Sequence, residues 1–429
     1  MIISEKVHSK ILNTFLLIIA TTLIFRKPAT IMIISFIVYS LLNLKKLSFN
    51  NKLIFNQVAI MSPLLIQLFF LWNNDSILSG LKDVEKYICL LIFPLFIIGN
   101  YKYVKVNFLL ENYCLLFCLT ISILYVRYLF YFPELYHKYQ NGIHQWEMGY
   151  SFANSFNTHA PALNMHIAFS ASISFYFLIQ NLIKKTSYIK IGLNLLVFCL
   201  LFYFILYVNT RLALVNFLIA ILLIICSTLF TAIISKRIIF ISISIFMFSL
   251  FTIVVFAFKN PYMIEKYTVV TFDNIDKIGR LDEIDNVQAV ACNALVTRIS
   301  IWISTKDLLI KKPFIGYGSA DGKQILIEYF KTTNQQFLYR NKFPVHNQFL
   351  DFFLKFGFLG GIVFFIYFLS IFKIGIFLKN VLVIAFFIIF FSSNLTDDFL
   401  IRFDGIVYSG FWISCFICLS KQKLEQIKF

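Results

Sequence analysis

The chain has 429 residues, of which 59% are hydrophobic and only 14% charged, with 53 Phe, where a water-soluble domain carries about a quarter charged residues. That balance excludes a soluble globular protein, which could not hide so much apolar surface. A formal charge of +17 does not indicate nucleic-acid binding, because Lys and Arg are scattered through short connections rather than gathered on one face.

Apolar stretches recur from end to end and predict an all-α polytopic integral membrane protein with about 12 transmembrane helices. In chain order they fall near 12–25, 29–44, 58–72, 87–99, 113–132, 161–182, 189–209, 212–230, 238–258, 349–372, 380–393 and 404–419. Several are short for a bilayer and must extend into polar flanks. The first is read as a span rather than a signal peptide, since it has no small-residue cleavage site and leads into Arg26-Lys27-Pro28. Residues 1–258 thus hold nine spans, 259–345 a large loop, 346–420 three more spans and 421–429 a tail.

With the amino terminus in the cytoplasm, the inside connections carry Lys45-Lys46, Lys52, Lys102, Lys105, Lys184-Lys185, Lys236-Arg237, Lys373, Lys379, Lys421, Lys423 and Lys428. This obeys the positive-inside tendency, with Arg26-Lys27 and the mixed cluster Lys82, Asp83, Glu85, Lys86 as exceptions. Both termini are then cytoplasmic. Two long connections, 132–160 and 259–345, fall outside with Asp397-Asp398. Most cysteines, such as Cys114, Cys118, Cys415 and Cys418, lie in apolar runs, and Cys89 starts another. Cys292 alone is in the large loop, which excludes an intraloop disulfide, and no Cys/His grouping has metal-site spacing.

Within that loop, 293–309 is expected to form an amphipathic helix with Leu295, Ile299, Trp302 and Leu309 on its apolar side and Arg298 between them. Lys311-Lys312-Pro313 should end it. Gly316-Tyr317-Gly318 forms a tight turn, and a second helical stretch covers 323–330. A connection this long in a membrane protein usually has a function.

Three basic residues are candidates for chemistry. Arg211 follows Asn209-Thr210 between two spans; it either reaches for lipid headgroups or faces the bundle interior, where ionisable residues tend to be functional. Arg298 is either the polar edge of its helix or a partner of Arg211 around one anionic group, since guanidinium forks match phosphate oxygens. Two arginines can neutralise a departing diphosphate without a divalent metal. His346 heads the return into the membrane, and its ring is either an interfacial cap or a proton acceptor. Asn347 reads as a helix cap, and Gly357, Gly360 and Gly361 as permitting close helix contact. His159 and His166 lie seven residues apart on one face near the outer surface, but no third metal ligand is fixed near them. Asp397-Asp398 beside Arg402 is either an interfacial charge cluster or a group that polarises a sugar hydroxyl.

His346-Asn347, nine residues, Gly357, two residues and Gly360 resemble the signature of the lipopolysaccharide O-antigen ligase family, within a wider superfamily that includes O-antigen and capsule polymerases and protein O-oligosaccharyltransferases. Arg211 in Asn209-Thr210-Arg211-Leu212-Ala213 resembles that family's arginine at the outer end of a central span. Arg298 in Thr297-Arg298-Ile299-Ser300-Ile301-Trp302, ahead of Lys312-Pro313-Phe314-Ile315-Gly316-Tyr317-Gly318, resembles its loop arginine and following turn. The likeness covers roughly 190–365, and span number and loop position extend it.

The resemblance implies a metal-independent, cofactor-free inverting glycosyltransferase of the bacterial inner membrane, with its large loop in the periplasm. The donor would be a glycan on undecaprenyl diphosphate, the acceptor a sugar hydroxyl of lipid A–core, and membrane lipids would surround both. Arg211 and Arg298 would hold the diphosphate and His346 would activate or orient the hydroxyl, with Asn347, His159, Asp397 and Asp398 around the substrates. A polymerase would share the donor and differ in acceptor. A lipid-linked glycan flippase or exporter is the non-enzyme alternative, although transporters usually show internal repeats or several broken, charged spans.

Overall fold

The computed structural model describes residues 4–49, 53–230, 235–267, 269–290 and 295–426. Cys292 lies outside them. Every predicted apolar stretch falls on a helix, and no strand forms among the described residues. Helices α1 (Glu5–Thr22) and α2 (Arg26–Leu42) come first, then α3 (Ile54–Phe69), α4 (Ile77–Tyr87) and α5 (Cys89–Phe93), which continues as a π turn over Pro94–Ile98. Next come α6 (Val106–Tyr131) and two short helices beyond its end, α7 (Pro133–Gln140) and α8 (Met148–Asn154). Four long apolar helices follow: α9 (Ala160–Ile183), α10 (Tyr188–Val208), α11 (Arg211–Leu229) and α12 (Lys236–Lys259). The large loop holds α13 (Pro261–Tyr267), α14 (Val269–Phe272), α15 (Val287–Val290), α16 (Leu295–Lys311), α17 (Gly322–Thr332) and α18 (Gln336–Asn341). The chain then returns through α19 (Gln348–Leu378), α20 (Val381–Thr396) and α21 (Phe403–Gln426).

The protein is an all-α polytopic membrane protein. Seven helices, α6, α9, α10, α11, α12, α19 and α21, are long and apolar enough to cross a bilayer. Helix α3, the Cys89–Ile98 stretch and α20 are shorter apolar helices. Charges at Glu5, Lys6 and Lys10 in α1, and the 17-residue length of α2, keep those two outside the group of seven. Helices α9 and α21 form the buried centre, with Tyr408 and Trp412 of α21 fully enclosed. Helix α12 stands at the periphery and exposes Phe240, Phe248, Phe251 and Phe258, a face suited to hydrocarbon rather than water.

The large loop is folded around its own core of Val296, Ile301, Leu308, Leu326, Phe330 and Leu354. The apolar face expected for α16 is rotated. Leu295, Ile299, Trp302 and Leu309 are only half-buried, whereas Val296, Thr297, Ser300, Ile301, Ser304, Thr305 and Leu308 are buried. The small hydroxyl residues on that side have specific partners: Ser300 Oγ accepts from Gly279 N at 2.8 Å and Ser304 pairs with Gln335 at 3.0–3.1 Å. As expected, the helix ends at Lys311 before Pro313.

Gly357 breaks α19 with φ 60° and ψ −151°, a conformation nearly confined to glycine. Residues eight apart in a continuous helix are separated by about 12 Å, yet a Cβ on Gly360 would lie 2.1 Å from the Phe352 carbonyl oxygen. The two halves of α19 therefore fold sharply against each other. The Pro313–Gly318 segment fills the break and satisfies the freed backbone groups. Tyr317 N donates to Leu354 O at 3.0 Å, Gly318 N to Lys355 O at 2.9 Å, and Phe358 N to Pro313 O at 2.8 Å. The helix-contact reading of Gly357 is thus corrected: its close neighbour is the Phe314 backbone, 2.3 Å from where a Cβ would sit. One glycine motif opens the helix and the other plugs it.

Candidate functional site

The turn into α19 carries the site. Trp302 of α16 donates from Nε1 to the Val345 carbonyl at 3.0 Å, tying the helix that bears Arg298 to the residue before His346. His346 adopts a left-handed backbone, φ 54°. Its N–H and that of Asn347 both point at Asp398, at 2.9 Å to Oδ2 and 2.8 Å to Oδ1. Asn347 caps α19 by accepting from Leu350 N at 3.1 Å and donates to Leu395 O at 3.0 Å, so the capping reading describes it. The His346 ring places Nδ1 3.4 Å from Asp397 Oδ1. That oxygen also accepts from Asp398 N at 2.8 Å and lies 3.6 Å from Arg402.

A buried polar layer supports this turn. Gln348 accepts from Leu400 N at 2.8 Å and donates to Asp351 at 3.1 Å, and Lys355 pairs with the same carboxylate at 2.8 Å. Burial pushes the Asp398 carboxyl up to about 7, reinforced by the charges of Asp351 and Asp397 and opposed by His346. Burial also pulls Asp397 upward, but the His346 hydrogen bond and the charges of Arg402 and His159 outweigh it and hold Asp397 below the usual carboxylate range. His159 caps the start of α9, and burial, with Arg402, pushes its ring down to about 4. Its Nδ1 is buried without a hydrogen-bond partner.

Arg211 opens α11 one residue after Asn209, which ends α10 in the left-handed conformation. Its Nε is likewise buried without a partner. Its field is coupled to Arg298, Tyr150, Tyr262 and Tyr267. Tyr150 in turn senses Asp397, Arg298, Arg211 and Arg402, so residues far apart in the chain share one electrostatic neighbourhood. A further cation joins them: Lys266 of α13 donates from Nζ to the Asn209 carbonyl. Burial and the nearby Arg211 push Lys266 down to about 7.

Of the expected site residues, Arg211, Arg298, His346, Asn347, His159, Asp397 and Asp398 gather at this end of the bundle. His166 does not join them. About 10 Å deeper along α9, its ring packs 4.2 Å from that of Tyr408 in the bundle interior, which corrects its placement near the surface. His346, Asp397 and Asp398 also bring possible metal-ligand atoms within 4.8 Å of one another, a gathering their sequence spacing did not reveal. Both Asp398 oxygens accept backbone N–H groups and Asp397 Oδ1 is shared between His346, Arg402 and Asp398 N, so these three oxygens form a hydrogen-bonded clamp. Sequence reasoning missed Tyr150, Lys266, Gln348, Asp351 and Lys355. Asp351 and Lys355 carried a signal, an opposite-charge pair at i,i+4 inside an apolar run.

Residues 195–365 match a family model described as O-antigen ligase. No curated protein matches the chain.

Proposed function

We propose that the chain transfers a glycan from undecaprenyl diphosphate to a sugar hydroxyl of lipid A–core, a reading supported by the match of residues 195–365 to the family model described as O-antigen ligase. The observation that carries this reading is the convergence of Arg211, Arg298, Arg402 and Asp397 around Tyr150, with the His346 ring on Asp397. Two guanidiniums, with Lys266 beside Arg211, supply the positive field that a diphosphate leaving group needs as its bond to the anomeric carbon breaks. The unpartnered Nε of Arg211 offers a donor in want of an acceptor.

In the tautomer that places Nδ1–H toward Asp397, His346 keeps a lone pair on Nε2. The acceptor hydroxyl gives its proton to Nε2 while its oxygen attacks the anomeric carbon, and undecaprenyl diphosphate departs with the bonding electron pair. A single displacement inverts the anomeric configuration. The arginines take the charge-neutralising role, so no metal enters the step. Purified protein in liposomes, given lipid-linked glycan and lipid A–core, should release undecaprenyl diphosphate at a rate unchanged by EDTA. Transfer onto a second lipid-linked glycan instead would mean a polymerase, and translocation without a new glycosidic bond a flippase. Turnover lost in EDTA and restored by Mg²⁺ would overturn the metal-independent step.

The reaction belongs on the periplasmic face of the inner membrane, a placement supported by the Lys and Arg distribution. A reporter active only in the periplasm should give signal when fused near Gln335 and none near Lys236; the reverse would overturn the orientation.

A further inference from the structure

A cavity of about 600 Å³ opens between the end of α6 and helices α7 and α8, within the size range of small-molecule sites. Four aromatic residues line it, Tyr128, Phe132, Tyr139 and Tyr150, with Leu135 the lone aliphatic. Between the rings lie Glu147, Ser151, Asn154 and Ser155. A groove for a lipid tail would be lined by aliphatic side chains. A phosphate site would need cations in its wall, whereas no Lys or Arg lines the cavity, and Lys138 beside it is engaged with Glu147 at 2.9 Å. Flat rings interleaved with hydroxyl, amide and carboxylate groups instead match a saccharide, whose C–H faces stack on aromatics while its hydroxyls take the hydrogen bonds.

The cavity is joined to the charged centre by its own wall. A Cβ on Gly149 would lie 2.0 Å from the Val208 carbonyl oxygen, so α8 packs backbone to backbone against the end of α10, beside the Asn209–Arg211 turn. That contact fixes Tyr150 between the two regions: it lines the cavity and senses Arg211, Arg298 and Asp397. Phe132 and Tyr150 keep 38% and 37% of their surface exposed, leaving ring area for a ligand, while Tyr128 is fixed by its hydrogen bond to Ser151 at 2.9 Å.

We propose that this cavity is a saccharide-binding subsite that holds a sugar unit beside the bond being formed, with Phe132 and Tyr150 as its stacking platforms. This rests on the transfer reading above for its catalytic role, though not for the binding itself. The sugar belongs either to the acceptor or to the donor glycan, and kinetics separate the two.

The test uses the full chain in detergent and two soluble probes, the core oligosaccharide and the repeat-unit oligosaccharide released from lipopolysaccharide by mild acid, with binding read by saturation-transfer NMR. Phe132→Ala and Tyr150→Ala should weaken binding of one probe at least tenfold. Tyr150→Phe, which keeps the ring, and Phe314→Ala, an exposed aromatic elsewhere (76%), should bind it as wild type does. In the transfer assay, a tenfold rise in KM for lipid A–core from Phe132→Ala, with kcat held, assigns the acceptor; the same rise for the lipid-linked donor assigns the donor. If wild type transfers but both alanine variants retain probe binding and both KM values, the subsite is wrong and the enzyme reading stands. If wild type transfers nothing while the alanine variants still lose probe binding, the subsite stands and the enzyme reading fails.

Discussion

His346→Ala should slow glycan transfer by about 10²–10⁴-fold, the usual contribution of a positioned general base, while the amount of protein in the membrane stays unchanged. The structure couples this expectation to Asp398, whose two oxygens hold the N–H groups of His346 and Asn347. In Asp398→Asn, one acceptor oxygen remains and an NH₂ group faces a backbone donor. Losing one charge-assisted bond costs about 1.5–3 kcal/mol, so transfer should fall roughly tenfold to a hundredfold if that loss is felt at the reacting geometry. The pH profile separates positioning from simple misfolding. Burial and the neighbouring carboxylates raise the Asp398 carboxyl to about 7, so wild-type activity should rise with pH as the clamp becomes charged. Stability runs the other way. A carboxyl raised in the folded state binds protons that the unfolded chain has released, so its contribution to stability declines as pH rises from about 4 to about 7. Asp398→Asn should remove both trends. Undecaprenyl diphosphate release and thermal unfolding in detergent, each followed against pH, are the measurements. Wild-type turnover in His346→Ala would reduce that ring to an interfacial cap.

The sequence exposed what depends on local pattern and hid what depends on distant contact. Apolar runs marked every major helix, because a backbone in hydrocarbon must satisfy its own hydrogen bonds. Proline at 313 located the end of α16 to within two residues. Arg211, Arg298 and His346 were visible as isolated bases beside apolar spans, yet what brings them together is written elsewhere. Trp302 reaches Val345 across 43 positions, and Asp398 reaches His346 across 52. No spacing rule links such pairs. The aspartates therefore read as a surface charge cluster, when one of them is fully buried beneath the histidine turn. The face of α16 was misjudged for a related reason: its loop packs through serines and threonines with specific partners, so hydrophobic periodicity pointed to the wrong side. Tyr150 had no signal at all. Its importance comes from the approach of α8 to Val208 that Gly149 permits.

Gly357→Ala should be severely damaging, and its effect should be on folding. A Cβ there meets the Phe314 carbonyl carbon and oxygen at 2.3 Å; these are backbone atoms that cannot rotate away. The φ of 60° with ψ of −151° adds strain of about 1–3 kcal/mol for any residue with a side chain. Relieving the clash means withdrawing the Pro313–Gly318 segment, which would strip hydrogen bonds from the N–H of Phe358 and the carbonyls of Leu354 and Lys355. Buried backbone groups left unpaired cost about 1–3 kcal/mol each. Straightening α19 instead would tear the first half of the helix, and His346 with it, from Asp398. Either route removes several kcal/mol, so most of the protein should be lost from the folded, monodisperse fraction in detergent. Gly192→Ala is the internal control: it lies within α10 with nothing within 4 Å of the added Cβ, and should stabilise by about 0.5–1 kcal/mol through helix preference alone. Equal thermal stability of the two variants would show that the break in α19 is not needed to hold the outer loop on the bundle.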